Sequence, residues 1–396
     1  MKNIYFNKIS KNPGKITLNL IIKENDNIIK NEELFFKFNI PFKPSDDVLA
    51  IVLSTICGSN MYDDIHLDLN ITSSVYKSIK SFTKSNVFSN EILEDKESKI
   101  EKENFLLNFS GGIDSLALLS LLPKNYTKLV SINWGGTFRE YDFFKKFDTY
   151  IVETNLLDLG IKYNWSALGM ASIFYSEYLK GKYVTFGNVL EASAFTFSPK
   201  ISDNYLQTPK LVPFRYINDI SYPYFTVGLT EVGTLLVASY YFPELIGESL
   251  ESICPPTWEK RGRKELLLEI VNKKFVRNIK HDKSNPPWNK FKFGEVLSED
   301  FLCLYIIKQL GVEKASQILM NIPKEAEIFA EKYSLDFYER FNTNFLLTIP
   351  KEYRGETIKR LINADVIPYN QNDYNELQHV VNFLSNYHEE LKKFII

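Results

Sequence analysis

Between Phe105 and Leu122 the chain reads FLLNFSGGIDSLALLSLL. An apolar run of strand length, Phe105–Phe109, stops at Ser110, the pair Gly111-Gly112 follows, and a helical stretch opens at about Ile113. This order confines the segment to a β–α unit with a very tight connection. Glycine bends freely and lets the backbone approach a ligand with no Cβ in between. The first turn of the helix leaves amide N–H groups without intrahelical partners, and the helix dipole adds about half a positive charge there. A phosphate or pyrophosphate suits such a place. Ser110 and Ser115 offer hydroxyls, and Asp114 is placed to hold the Mg²⁺ that accompanies a nucleotide. A turn that only reverses the chain is the alternative, and it requires neither the hydroxyls nor the carboxylate. A Walker A loop is excluded, since no G-x-x-x-x-G-K-[ST] pattern is present.

The run Ser110-Gly111-Gly112-Ile113-Asp114-Ser115 resembles the PP-loop of the N-type ATP pyrophosphatases. That superfamily includes asparagine, GMP, NAD and argininosuccinate synthetases, several tRNA-modifying enzymes and 7-cyano-7-deazaguanine synthase. The resemblance implies an α/β fold with a doubly wound parallel sheet of HUP-like type. It also implies a loop gripping the β- and γ-phosphates of ATP while a substrate oxygen attacks the α-phosphate. Binding would then involve Ser110, Gly111, Gly112, Ile113, Asp114 and Ser115, with Asp114 as the metal ligand and Asp114 and Ser115 as catalytic groups.

At 396 residues the chain has room for two or three domains. Its formal net charge of −2 gives no overall basic field toward nucleic acid, so a tRNA substrate is not favoured. The N-terminal residues show no signal-peptide core, and no stretch reaches roughly 18 uninterrupted apolar residues, so a cytoplasmic protein without a membrane span is expected. Cys57, Cys254 and Cys303 lie far apart with no C-x-x-C, so neither a disulfide framework nor zinc is expected.

Residues 1–95 read as a small α+β domain, with strands at 16–24 and 33–40 around the polar turn NDNIIKNE, a helix through DDVLAIVLSTIC behind Ser45, and a strand at 65–71. The charged run 91–104 reads as a linker or a solvated helix. From 105 to 275 strands at 105–109, 128–133, 149–153 and 182–187 alternate with helices at 113–122, 138–147 and 168–180, the pattern of a parallel sheet with ligands at the carboxyl ends of its strands. Residues 285–396 form a helical C-terminal region in this reading.

Asn133, Thr154 and Gly187 lie, like Ser110, at strand ends and converge on the same end of such a sheet. Trp134 is suited to stacking on a base, or else to a core position beside a tight turn. SINWGGTFREYD (131–142) is similar to the segment after the second strand in 7-cyano-7-deazaguanine synthases, with Trp134, Gly135, Arg139 and Glu140 as counterparts. YLKGKYVTFGNVLEAS (178–193) resembles the superfamily's second nucleotide segment. Gly187 and Asn188 would there approach the nucleotide, and Glu191 would hold metal or orient a nucleophile, unless it serves as a helix N-terminal acid. TVGLTEVGTLLVAS (226–239) resembles the family's K-x-E-[IV] helix, but Leu229-Thr230-Glu231-Val232 lacks the lysine.

A substitute cation is sought in Lys260, Arg261, Arg263 and Lys264 around Gly262, at the start of an apolar helical run. Four cations at a helix N-terminus oppose the dipole unless an anion or carboxylates offset them. Lys260 and Arg261 are the catalytic candidates, and a basic turn paired with Glu248, Glu251 and Glu259 is the alternative. Cys254 stands where zinc-binding 7-cyano-7-deazaguanine synthases begin a four-cysteine cluster, without the other three.

The resemblance implies ATP and Mg²⁺, adenylation of a carboxylate or amide oxygen with pyrophosphate release, and displacement of AMP by a nitrogen nucleophile to give an amide- or nitrile-type product. Similar proteins of the deazaguanine-synthase-like branch occur in bacterial antiphage systems. The acyl substrate would be a small molecule or a protein terminus, and ammonia or an amine the donor, because no glutaminase nucleophile is visible. An RNA-modifying PP-loop enzyme and a non-catalytic ATP- or AMP-binding regulatory subunit are the rival readings.

Overall fold

The computed structural model describes residues 1–95, 101–135, 140–161, 165–198, 220–253, 255–285 and 290–395. The chain divides into two compact units: Met1–Ser110, Asn125–Thr185 and Leu206–Pro223 form the first, and Gly111–Lys124, Phe186–Tyr205 and Tyr224–Ile396 the second.

The first unit is α/β, built on nine strands in one mostly parallel sheet. The strands are β1 (Lys2–Asn12), β2 (Lys15–Glu24), β3 (Asn27–Phe38), β4 (Asp64–Thr72), β5 (Asn86–Leu93), β6 (Asn104–Asn108), β7 (Thr127–Asn133), β8 (Thr149–Thr154) and β9 (Gly181–Thr185), and their order in the sheet is β5-β4-β1-β2-β3-β8-β7-β6-β9. β1–β2, β2–β3 and β3–β8 are antiparallel; the other five neighbouring pairs are parallel. Residues 1–95 therefore share a sheet with the parallel strands through the β3–β8 pair, which sets Phe36 opposite Thr154 and Phe38 opposite Val152.

The β2–β3 connection is shorter than the polar run NDNIIKNE suggests. Asn25 and Asp26 both take left-handed φ, 48° and 68°, the backbone of a two-residue hairpin turn whose twist suits the strands. The strand then starts at once at Asn27. Strict alternation buries Ile16, Leu18, Leu20 and Ile22 of β2, beneath a core that also takes in α1 (Asp46–Cys57), whose residues from Val48 to Cys57 are all buried. Ser45 caps that helix by accepting from the Val48 N–H at 3.3 Å. α2 (Ser73–Thr83) joins β4 to β5.

The order of the four parallel strands sets where the sheet reverses. The chain steps from β6 outward to β7 and β8, then returns to place β9 on the other side of β6. The carboxyl end of β6 is thus the point where strand order reverses, the place where open α/β sheets bind ligands. α4 (Glu140–Phe144) is shorter than the helix expected at 138–147. Over 168–180 a 3-10 turn, Trp165–Gly169, leads into the short α5 (Met170–Tyr175).

The second unit is helical. It contains α3 (Ile113–Leu121), α6 (Glu231–Tyr241), α7 (Ile246–Ile253), α8 (Glu259–Lys274), α9 (Leu297–Leu310), α10 (Lys324–Lys332), α11 (Arg354–Asn363) and α12 (Gln371–Leu384). The region 285–396, expected to be helical, lies in the same unit as α3 and α6–α8. Arg360 of α11 donates from Nη1 to the Ser120 and Leu122 carbonyls at 2.7 and 2.9 Å, satisfying acceptors at the end of α3. No helix among the described residues is long and apolar enough to cross a membrane.

Candidate functional site

The turn after β6 is built as its residues require. Gly111 has φ +78°, a conformation that costs other residues a Cβ clash. Gly112 returns to extended backbone (φ −69°, ψ 161°) as the N-cap of α3. The Gly111 carbonyl accepts from the buried Ser249 Oγ at 2.7 Å, which ties the turn to α7. Ile113, Ser115, Leu116, Ala117, Leu118, Ser120 and Leu121 are buried, so α3 is a core helix whose start is held from several sides. One of these sides is Gly187. A Cβ there would lie 2.7 and 2.8 Å from the Asp114 carbonyl carbon and oxygen, and 2.8 Å from the Ser115 nitrogen. The close approach that Gly187 allows is thus to the protein's own first helical turn. Gly187→Ala is expected to cost about 1–3 kcal/mol as an overpacking change. It should also reduce any activity of the loop far more than Gly181→Ala, whose Cβ meets mainly the flexible Leu106 side chain. Denaturant unfolding and nucleotide binding of the two variants check this.

Asp114 stands at the open side of a buried charge cluster. Thr234 Oγ1 of α6 donates to Asp114 Oδ1 at 2.6 Å. Lys264 Nζ of α8 lies 3.2 and 3.1 Å from Asp114 Oδ1 and Oδ2, and 3.2 Å from Glu231 Oε2. Arg263 bonds Glu231 and reaches Glu259 Oε1 at 2.8 Å and Glu299 Oε2 at 2.6 Å. The Lys264 side chain is 1% exposed and that of Glu231 11%, whereas that of Asp114 is 23% exposed. Solvent therefore enters this cluster chiefly at Asp114.

The surroundings push the acids apart. Burial raises Glu231, but Arg263 and Lys264 outweigh it and hold the carboxyl at about 2. Burial raises Glu191 to about 8, with the negative Glu231 adding to the shift. Burial likewise raises Glu299 to about 8, against Arg263 and with Glu259 and Glu231 reinforcing it. For Lys264, burial alone would favour the neutral amine, yet Asp114 and Glu231 keep its pKa above the ordinary lysine value. The unit thus carries a charged core of Lys264, Arg263 and Glu231 beside two acids biased toward the neutral form.

The four cations of the KRGRK run find different partners. α8 begins at Glu259, and carboxylates at Glu259 and Glu265 offset the cost of cations in its first turns. Lys264 meets Asp114. Arg261, a catalytic candidate from sequence, is spent on Glu265 at 2.5 Å and the Asp282 carbonyl at 2.8 Å, and Lys260 is exposed. The structure does not bring Arg261 to Asp114: it lies nearly one turn before Lys264, and Glu265 and the Asp282 carbonyl hold it. Thr234 and Lys264 complete the Asp114 site. Thr234 was absent from the sequence reading, although it lies one helical turn after Glu231, on the side that faces Asp114.

Glu191 has a structural partner. Its Oε1 accepts the Glu231 backbone N–H at 2.8 Å, satisfying the N-terminus of α6, while the buried Oε2 has no hydrogen-bond partner among the described residues. The Asn188 carbonyl accepts from Thr226 Oγ1 at 2.7 Å. In the first unit Ser110 is half-buried, Asn133 Oδ1 accepts the Gly135 N–H at 3.1 Å, and Trp134 is 4% exposed, a core position beside a tight turn. Gly136, Arg139 and Cys254 lie outside the described residues. Among the described residues no group of three or more His, Cys, Asp or Glu is placed to hold a metal ion.

No family model matches the chain, and no curated protein or solved structure matches it either.

Chemically, the site offers a glycine turn at a helix N-terminus, one solvent-reachable carboxylate and a buried lysine fixed against it. This set suits a polyanion accompanied by a divalent cation. Mg²⁺ keeps several waters and takes one or two protein carboxylates along with substrate phosphates, so the single carboxylate of Asp114 fits that role without a dedicated metal cage.

Proposed function

We propose that the chain is an AMP-forming, ATP-cleaving enzyme of the PP-loop type, on a doubly wound HUP-like architecture. The observation that carries the reading is Asp114, held by Lys264 and Thr234 in the first turn of the helix behind a Gly-Gly turn. Leu229 stands where the family pattern has its lysine, and Lys264 supplies the cation from another helix. Ser110 to Ser115 grip the β- and γ-phosphates, with the α3 dipole favouring their charge. Asp114 holds Mg²⁺, which, when bound, neutralises phosphate charge. Lys264, fixed 3.1 Å from Asp114, adds a buried cation beside the turn, where a fixed positive charge stabilises charge building on the departing pyrophosphate.

In this reading a carboxylate or amide oxygen attacks the α-phosphorus, the bond from that phosphorus to the β-bridging oxygen breaks, and pyrophosphate leaves. A nitrogen nucleophile then attacks the activated carbon, loses a proton, and AMP departs. AMP is a good leaving group, so little acid–base machinery is needed. This accords with a chain of four histidines. The nitrogen donor is ammonia or an amine, and the acyl partner a small molecule or a protein terminus.

Pyrophosphate release from MgATP, followed across a panel of carboxylates with ammonium present, tests the reading. The wild type should release it, and Asp114→Ala should lower the rate by at least about 10²-fold, the loss of one preorganised electrostatic group. Equal rates in the two proteins would refute the assignment of Asp114.

A further inference from the structure

Helix α8 also walls a cleft on the side away from Asp114. The cleft has a volume of about 470 Å³, and its lining includes Lys273 of α8 together with His281, Lys283 and Lys314. Its far wall is built by polar side chains. Asn272 both donates to the Ile279 carbonyl and accepts the Ile279 N–H, each at 3.0 Å. Glu265, itself fixed by Arg261, accepts the Ser284 N–H on both oxygens at 3.1 and 3.0 Å, and Arg261 grips the Asp282 carbonyl. Gly247 of α7 packs under the same segment, since a Cβ there would meet the Lys280 carbonyl oxygen at 3.0 Å. Residues 279–284 are thus clamped at three points, which fixes where His281 and Lys283 stand.

The groups left over share one character. His281 Nε2 is buried with no hydrogen-bond partner among the described residues, and a buried polar atom left unpaired calls for an explanation. Lys273 and Lys283 are exposed, and among the described residues Lys314 pairs with the half-exposed Glu269, at 3.2 Å, an ion pair of small worth. Glu265, the other carboxylate of the lining, is fully used by Arg261 and Ser284. The cleft volume lies in the range of metabolite sites.

We propose that this cleft binds a small phosphate-bearing anion, with Lys273, Lys283 and Lys314 around its charge and the His281 ring turning to bring its buried, unpaired Nε2 to one of its oxygens. The site is distinct from the turn at Ser110–Ser115, and the inference does not depend on the function proposed for that turn. Lys283 and His281 come from the clamped segment and Lys273 from α8, so the backbone that carries the binding groups is fixed before binding.

Inorganic pyrophosphate titrated into the full chain is the test, read on the His281 ring resonances, which His281→Gln identifies by their disappearance. The expected result is a saturable His281 shift that persists in Asp114→Ala and weakens at least tenfold in Lys273→Ala/Lys283→Ala. A His281 signal unmoved at saturating pyrophosphate would overturn the proposal. So would a shift of the same affinity in the double-lysine variant, or citrate binding as tightly as pyrophosphate. Loss of pyrophosphate release in the Asp114→Ala enzyme bears only on the proposed activity and leaves this result untouched.

Discussion

Replacing Lys264 by methionine is expected to destabilise the protein by about 3–5 kcal/mol and to abolish the proposed ATP cleavage. The ammonium is 1% exposed and sits between Asp114 and Glu231. Removing it leaves two carboxylates in a site that Arg263 alone cannot neutralise, and breaking a buried ion pair from one side costs on that scale. Pairing Lys264→Met with Asp114→Asn should recover part of the loss, because the second change removes one of the stranded charges. The two residues should therefore couple in a double-mutant cycle. Urea unfolding of the four proteins measures it. A loss below about 1 kcal/mol for Lys264→Met, or additive effects in the cycle, would mean that the lysine is not the partner of Asp114 in solution.

The second large effect is on pH dependence. Glu191 and Glu299 have an ordinary value of 4.5 and are raised to about 8 in the fold, first by burial and then by their negative neighbours. Acids raised in this way bind more protons folded than unfolded. The stability they contribute is complete below the unfolded value and drains away as pH rises through about 8. Glu231, lowered to about 2, acts in the opposite sense: its contribution is present above 4.5 and is lost as pH falls toward 2. Stability should therefore peak on the acid side of neutrality and fall toward alkaline pH. At about 1.36 kcal/mol per pKa unit, the fall amounts to several kcal/mol. Calorimetric unfolding from roughly pH 5 to pH 9 should show Tm decreasing up to about pH 8. Glu299→Gln should flatten the decline. A Tm that is level or rising there would contradict the burial of these acids in their neutral form.

Local signals were legible in the sequence, and long-range choices were not. The β6–turn–α3 unit is encoded within a few residues by an apolar run, two glycines and a helix former, and the structure starts the helix at Ile113 as expected. The α1 helix is set by Ser45 and a continuous apolar run, and its limits agree with the sequence reading. The pairing of β3 with β8 was out of reach. It depends on residues more than a hundred positions apart, and nothing in FFKF announces TYIVET as a neighbour. Which of Lys260, Arg261, Arg263 and Lys264 meets Asp114 was out of reach for a related reason. All four lie within five positions, and only the packing of α8 against α6 decides which turns toward Asp114. One clue was available: Glu231, in a helix of otherwise apolar and small residues, needed a buried cation, and only a neighbouring helix could bring one.

The most direct test of the proposed cleavage is to identify, by phosphorus NMR, which bond of ATP is broken when the wild-type protein is given MgATP, ammonium and the carboxylate panel. A turn that grips the β- and γ-phosphates and leaves the α-phosphate open to attack yields AMP and pyrophosphate. ADP and orthophosphate as the products would contradict that account.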